Sequence, residues 1–320
     1  MFRHITLLSC VYLLLVYNLK IRLFLEAMQQ NQLLRPSTSS HASPVPAQGK
    51  IQSESLSHGL RVLSFSLFGN SSRYTDGAIA NAKLHRWIYP NWEMRVYHDK
   101  STPQDLLSRL SLEGVHLIDM SGSDLNPMNW RFLAASDEAV DVFCSRDIDS
   151  RLGIREFSAV SEWLETNFLV HMIRDHPGHM YHPMMGGLWC AKWNAIPDIR
   201  SLLHGYSRKS HFNADQEFLR DEVWPLVNTS VLHHANFGCE LWDETRSIPA
   251  PRVGLEHVGA VYIEHMLRAE DSNILHHAIS KGEECLPPSH TVIKPESTPT
   301  GIFFPLNQFL TPISRHNRNR

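Results

Sequence analysis

From Arg61 onward the chain alternates short apolar runs with turn residues and helical periodicities. Val62, Leu63, Phe65, Leu67 and Phe68 form a run closed by Gly69-Asn70, which predicts a buried strand and a turn. Ala80, Leu84, Trp87 and Ile88 then recur at helical spacing, with Thr75 or Asp76 as the cap and Pro90 as the stop. In NWEMRVYHD, Trp92, Met94 and Val96 alternate with Glu93, Arg95 and Tyr97, the period of a strand. Thr102-Pro103-Gln104-Asp105 reads as a capping box with proline at the first helical position, and Leu106, Leu107 and Leu110 supply that helix's apolar face. VHLIDM is a third strand. Strand, helix, strand, helix, strand within about 60 residues predicts a parallel α/β sheet whose ligands bind at the carboxyl ends of the strands. Gly69-Asn70 and Asp99 fall at two such ends.

The ends of the chain follow other patterns. Ile5 to Tyr17 is almost wholly apolar; Lys20 and Arg22 interrupt, and Leu23-Phe24-Leu25 resumes. The first run is shorter than the about 20 residues a membrane span needs. With the second run included, and Lys20 and Arg22 snorkelling, residues 1–25 predict a short signal anchor. No small-x-small cleavage site follows closely, which argues against a removed signal peptide. Residues 26–56 are rich in Gln, Ser and Pro and predict a disordered stem. A globular domain is expected over 57–265, and 266–320 reads as a C-terminal extension of loop composition. Anchor, stem and domain in that order are the layout of a single-pass type II membrane protein of the secretory pathway, its globular domain lumenal. Two sequons, at Asn70 and Asn228, fit that compartment. Cys144, Cys190, Cys239 and Cys285 allow three pairings, or none.

Composition adds little. The 320 residues are 42% hydrophobic and carry a formal net charge of -3, without the basic excess of a nucleic-acid binder. The chemistry concentrates in CSRDIDSRL, where an apolar strand runs into Asp147 and Asp149, with Arg146 and Arg151 on either side. In an extended segment those two carboxylates share a face, repel each other and call for a cation. Hard oxygen ligands suit Mg2+ or Mn2+, which keep positions for phosphate oxygens, so the stretch predicts a metal–diphosphate site. Arg146 and Arg151 either contact phosphate or pair with the aspartates.

Here the chain resembles the GT-A glycosyltransferases, from about Arg61 to about Gly259. NWRFLAASDEAVDVFCSRDIDSRL is similar to their arginine-bearing helix, metal strand and D-x-D. HPMMGGLWCAKW resembles the glycine pair and aromatic turn of the sugar and acceptor pocket. NADQEFL is similar to the D-Q element of retaining transferases, and VLHHANFG to the late histidine of the metal shell. The resemblance implies a GT-A, Rossmann-like, mixed and mainly parallel sheet flanked by helices. It implies Mn2+ or Mg2+ held by Asp147, Asp149 and His234, with His233 the alternative to the last. It implies a nucleotide-sugar donor, a UDP-sugar first, held by Phe68, Gly69, Asn70, Asp99, Arg131 and Arg146, with Gly186, Gly187 and Trp189 walling the sugar. Asp215 and Gln216 would face the sugar, and Asp175 is the candidate base if the reaction inverts. The acceptor would be a glycan or glycoconjugate, and the Golgi membrane the expected location.

Other readings stand beside these. Gly186-Gly187 also fits an ordinary turn, and Asp215 and Glu217 also fit a helix start, where carboxylates meet the dipole. HMIRDHPGHMYH carries four histidines, but no cysteine pair stands at structural-zinc spacing. The expectation there is a loop beside the sugar, with Arg174, Asp175 and His176 as polar contacts. Two rival functions are a catalytically silent, carbohydrate-binding or scaffolding GT-A fold, and a metal-dependent phosphohydrolase with Asp147 as nucleophile. At least three strands precede Asp147, whereas the phosphohydrolase needs its aspartate after the first.

Overall fold

The computed structural model describes residues 59–206 and 213–285. The expected anchor, the stem and the extension beyond Cys285 lie outside them. Among the described residues no helix is long and apolar enough to cross a membrane.

Strand β1 (Leu60–Leu67), helix α1 (Ser72–Ile88), β2 (Glu93–His98), α2 (Gln104–Leu112) and β3 (His116–Asp119) follow one another as the hydrophobic pattern predicts. A 3-10 stretch, Pro127–Ser136, leads to β4 (Val140–Arg146). Then come α3 (Ile154–Leu164), β5 (Val170–Arg174), β6 (Leu188–Lys192), α4 (Ile199–Tyr206) and α5 (Ala214–Phe218). The last continues through a π-turn, Leu219–Val223, into α6 (Trp224–Val227). Strands β7 (Val231–Ala235) and β8 (Thr245–Arg246) complete an eight-stranded sheet in the order β3-β2-β1-β4-β6-β5-β7-β8. Strand β6 runs antiparallel to β4 and β5, and the other pairs are parallel. This is the expected α/β architecture: a Rossmann-like, mixed and mainly parallel sheet flanked by helices.

Both faces of the sheet are covered, so strand positions of either parity are buried. Leu63, Phe65 and Leu67 of β1 pack with Ala78, Ile79 and Ala82 of α1 on one face. Val62 faces the opposite layer with Phe132, Phe143, Trp189 and Phe218. The intervening Ser64 and Ser66 are buried because they hold the Arg131 backbone: Ser64 Oγ donates to its carbonyl (2.6 Å) and Ser66 Oγ accepts from its N–H (3.0 Å).

Three local expectations change. Helix α1 starts at Ser72, ahead of Thr75, and buries Gly77, Ala78, Ile79, Asn81, Ala82 and His85, while Trp87 is 77% exposed. The small side of the helix faces inward because the turn after β4 presses against it. The Thr102 capping box does not form: its hydroxyl donates to the Leu67 carbonyl instead, joining the ends of β1 and β2. The described part of the extension, read as loop, has regular structure: β10 (Met266–Leu267) pairs with β9 (Tyr262–Ile263), just before it, and helix α7 (Ala269–Ser280) packs its Leu275 and Ala278 on Phe237. The cysteines resolve into Cys144–Cys190, across the β4–β6 pair, and Cys239–Cys285, which ties the extension to the loop after β7.

Candidate functional site

Strand β4 is central, and its carboxyl end delivers the two aspartates into a turn closed by Ser150 N–H to the Asp147 carbonyl, 3.2 Å. The pair is thus presented by a turn and not by an extended pleat. Asp147 Oδ1 accepts from Arg131 Nη1 at 2.6 Å, and the same guanidinium reaches Asp215 Oδ2 at 2.8 Å. Asp149 Oδ2 accepts from Arg73 Nε at 2.6 Å. Three carboxylates and two arginines therefore meet at one edge of the sheet, Asp147 being the open member with a side chain 44% exposed. Burial, and then the charge of Asp147, push the Asp149 carboxyl above its ordinary value. Burial does the same to Asp215 against the pull of Arg131.

The glycine pair has a concrete reason to be glycine. A Cβ on Gly187 would collide with the Asp147 carboxylate, and one on Gly186 would lie 2.6 Å from Asp215 Oδ2 and collide with Arg131. The pair lets strand β6 close over the acids without filling their space. Gly186 is fixed by Ser145 Oγ, which donates to its carbonyl at 2.6 Å, and by Gln216 Oε1, which accepts from its N–H at 3.3 Å. Asp215 and Gln216 thus stand together at the start of α5, next to the D-x-D.

Three residues of this site escaped the sequence reading, all on α1. Asn81 Nδ2 donates to the carbonyls of Ile148 and Ser150, and its Oδ1 accepts from Leu152 N–H at 3.1 Å, so one side chain fixes the whole turn. Gly77 packs on the Ile148 carbonyl with no room for a Cβ. Arg73 sits in the first turn of α1, where a cation opposes the helix dipole; that unfavourable placement was the available signal. Arg151, beyond the turn, donates to the carbonyls of Asp149 and Ser150 and lies over Tyr262, 4.7 Å from its ring.

At the end of β1, Phe68 is 38% exposed and edge-on to Trp130, and Asn70 is exposed. Gly69 takes φ +75° and donates to Ser101 Oγ at 2.6 Å, while Asp99 Oδ1 accepts from the Ser101 N–H at 2.9 Å. Phe68, Gly69, Asn70 and Asp99 therefore lie together on one rim.

Four of the expected site residues belong elsewhere. Arg146 is a buried structural cation: Nε binds Glu156 Oε1 at 2.8 Å, Tyr89 OH donates to the same oxygen, and Nη1 reaches the Ser145 and Trp189 carbonyls. Trp189 is fully buried against Phe143 and Phe132, because its position on β6 points it into the core and away from the glycine turn. Asp175 is fully buried and saturated by Arg155, Arg252 and the Val258 N–H, so it has no free oxygen with which to act as a base. His234 is buried on β7, with Nδ1 2.7 Å from His171 Nε2 and Nε2 3.5 Å from Glu162. Among the described residues it does not group with the aspartates as a metal cluster, and nor does His233, whose Nδ1 takes Arg174 at 2.6 Å. Arg174 is not a loop contact either. It is buried over Trp242, and burial pulls its guanidinium down to about 9.

The donor set suits a hard divalent cation: carboxylate oxygens at a sheet edge, one open, one destabilised as an anion by burial beside another. Asp147 and Asp149 would hold it, with Arg73 and Arg131 giving up or sharing those oxygens.

No protein-family model matches the chain, and no curated protein sequence does. Among solved structures it is similar to glucosyl-3-phosphoglycerate synthase of Mycobacterium tuberculosis in complex with Mn2+, UDP-glucose and glycerol 3-phosphate. Identity there is 13% over 55% of this chain and 69% of that one, with TM-score 0.37. A second structure of that synthase gives 13% over 61% and 73%, TM-score 0.38. The 4-diphosphocytidyl-2C-methyl-D-erythritol synthase of Anaerococcus prevotii gives 10% over 55% and 89%, TM-score 0.36. Likeness at this level does not assign a function.

Proposed function

We propose that the chain is a divalent-metal-dependent glycosyltransferase that moves a sugar from a nucleotide-sugar donor, a UDP-sugar first, to a glycan or glycoconjugate acceptor. The observation that carries the reading is the meeting of Asp147, Asp149 and Asp215 at the carboxyl edge of the central strands, with Gly186-Gly187 in close approach to Asp147, Asp215 and Arg131. The bound Mn2+ or Mg2+ would supply Lewis-acid neutralisation of the departing diphosphate. The chain's residues do the rest. Phe68 offers an apolar ring to the base, and the Asp99–Ser101–Gly69 loop shapes the rim for the ribose. Arg73 and Arg131, once released from full pairing with the aspartates, are the cations nearest to a diphosphate. Asp215 and Gln216 offer hydrogen bonds to sugar hydroxyls beside the acids. Asp175, held by Arg155, Arg252 and the Val258 N–H, is not free to act as an inverting base, and the D-Q likeness of Asp215-Gln216 favours retention of configuration.

The two disulfides support an oxidising compartment, and with it the secretory-membrane layout read from residues 1–56. Carbonate extraction of the full chain from expressing cells tests that part: release into the soluble fraction contradicts an anchor.

The functional test is a panel of UDP- and GDP-sugars with Mn2+ and glycan acceptors, read by nucleotide release and product anomer. Turnover of one donor that is lost in Asp215→Asn supports the proposal. Nucleotide binding without turnover on any donor favours the silent fold, and cleavage of simple phosphate esters favours the phosphohydrolase.

A further inference from the structure

A second constellation lies apart from the acids. His176 and His179 follow β5 on the loop that its length and Pro177-Gly178 predict, and His257 arrives from the loop before β9. Their ligand nitrogens all lie within 4.8 Å of one another. The ring centroids stand 4.6, 5.4 and 5.9 Å apart. Three imidazoles bound to one tetrahedral metal at about 2.0–2.1 Å place their centroids about 5 Å apart. The observed triangle brackets that separation, and a bound metal would draw the ligand nitrogens closer than their present separations of up to 4.8 Å.

The surroundings fit ligation. His176 Nε2 faces the Asp271 carbonyl at 3.1 Å and His257 Nδ1 faces the Leu255 carbonyl at 3.3 Å. Each carbonyl fixes the proton on one nitrogen and leaves the other, His176 Nδ1 and His257 Nε2, unprotonated; metal-bound histidines are held in this way. His179 Nδ1 is buried without a hydrogen-bond partner, a cost that coordination would remove. His176 Nδ1 accepts from the Gly178 N–H at 3.0 Å, and a metal there would exchange that contact for coordination. The nearby carboxylates are already engaged, Asp175 by Arg155 and Arg252, Asp271 by Arg268. The donor set is therefore three nitrogens without oxygen, which suits a borderline transition metal and disfavours Mg2+ or Mn2+.

We propose that His176, His179 and His257 form a Zn2+ site, distinct from the D-x-D and independent of the donor reading. Three protein ligands leave the fourth position to water or a ligand. The site would join the loop after β5 to the loop before β9, with α7 behind it through Asp271. Those two loops already meet where Asp175 accepts from the Val258 N–H, and the second continues to Tyr262, whose N–H binds the Asp149 carbonyl at 3.0 Å. A metal here would brace the support of the D-x-D turn.

The test uses the purified full chain, stripped with chelator and titrated with Zn2+ alone, without nucleotide or Mn2+. Calorimetry and metal analysis give affinity and stoichiometry, and Co2+ replacement gives the visible bands of a nitrogen-ligated tetrahedral ion. The expected result is one Zn2+ per chain with Kd below about 10 μM, weakened at least about tenfold in both His257→Gln and His179→Gln and unchanged in Asp149→Asn. Circular dichroism of each variant shows that it is folded, and His179→Gln, the half-buried member, covers the case in which His257→Gln fails to fold. Binding weaker than that, or binding left unchanged by the histidine substitutions, as other histidines of the chain would produce, overturns the site.

Discussion

The Arg146–Glu156 pair separates a structural arginine from a phosphate-binding one. Its side chains are 1% and 2% exposed. Arg146→Met removes the guanidinium and leaves the Glu156 carboxylate buried with the Tyr89 hydroxyl at 2.7 Å. It also strands the Ser145 and Trp189 carbonyls, which accept at 2.7 and 3.1 Å. Breaking a buried pair from one side costs about 3–5 kcal/mol, because the surviving charge stays in a low-dielectric interior. For a folded unit of this size that corresponds to a thermal midpoint lower by about 6–20 °C. Replacing both partners, Arg146→Met with Glu156→Leu, removes the orphaned charge and should recover most of the loss. The assay is thermal unfolding of the full chain and both variants, paired with Mn2+-dependent UDP binding at a temperature where all are folded. A single variant within about 1 kcal/mol of the parent, or a double variant no better than the single, refutes the structural assignment. So does a double variant that is stable yet has lost UDP.

Other expectations follow from the same geometry. Gly187→Ala places a Cβ in the Asp147 carboxylate and 2.8 Å from its backbone nitrogen, so Mn2+-dependent UDP binding should be lost with a midpoint drop of about 2–10 °C; unchanged binding contradicts the close approach. Burial, then the charge of Arg174, lowers His233 to about 3, and burial holds His171 well below its ordinary value. Both favour the neutral ring in the native state, so their contribution is complete above about pH 6.5 and each loses about 1.4 kcal/mol per unit as pH falls below it. Asp149 and Asp215, both pushed up by burial, act in the opposite sense, while His85, His176, His179 and His257, lowered by burial like the first two rings, add to the loss. Urea midpoints at pH 7.5 and 5.5 check this, and equal midpoints would contradict it. Of the two exposed sequons, Asn70 sits on the donor rim and Asn228 at the end of α6, remote in the fold. A secreted-pathway preparation should carry one glycan, removed by Asn228→Gln; occupancy of Asn70 in active protein would contradict the donor rim.

The sheet was legible because parallel strands with two covered faces announce themselves as apolar runs, and D-x-D stood at the end of one. What the sequence hid was direction. Arg146 and Trp189 follow the same pattern as ligand-edge residues, but side-chain parity on β4 and β6 turns both into the core. Asp175 looked like a free acid because Arg155 and Arg252, its partners, come from 20 and 77 residues away. Asn81 and Gly77 were hidden by the assumption that the apolar positions of α1 define its buried side. The histidine cluster was illegible for a related reason, since His257 lies far along the chain from His176 and His179 and only tertiary contacts bring it to them.

The most direct test of the central claim is calorimetry of UDP binding to the full chain with and without Mn2+, repeated for Asp149→Asn and Asp147→Asn. Binding in the parent that requires Mn2+, and that falls at least about a hundredfold in both folded variants, is the predicted result for two carboxylates holding the cation on the diphosphate. UDP affinity that is equal with and without Mn2+, or unchanged when either aspartate is replaced, contradicts it.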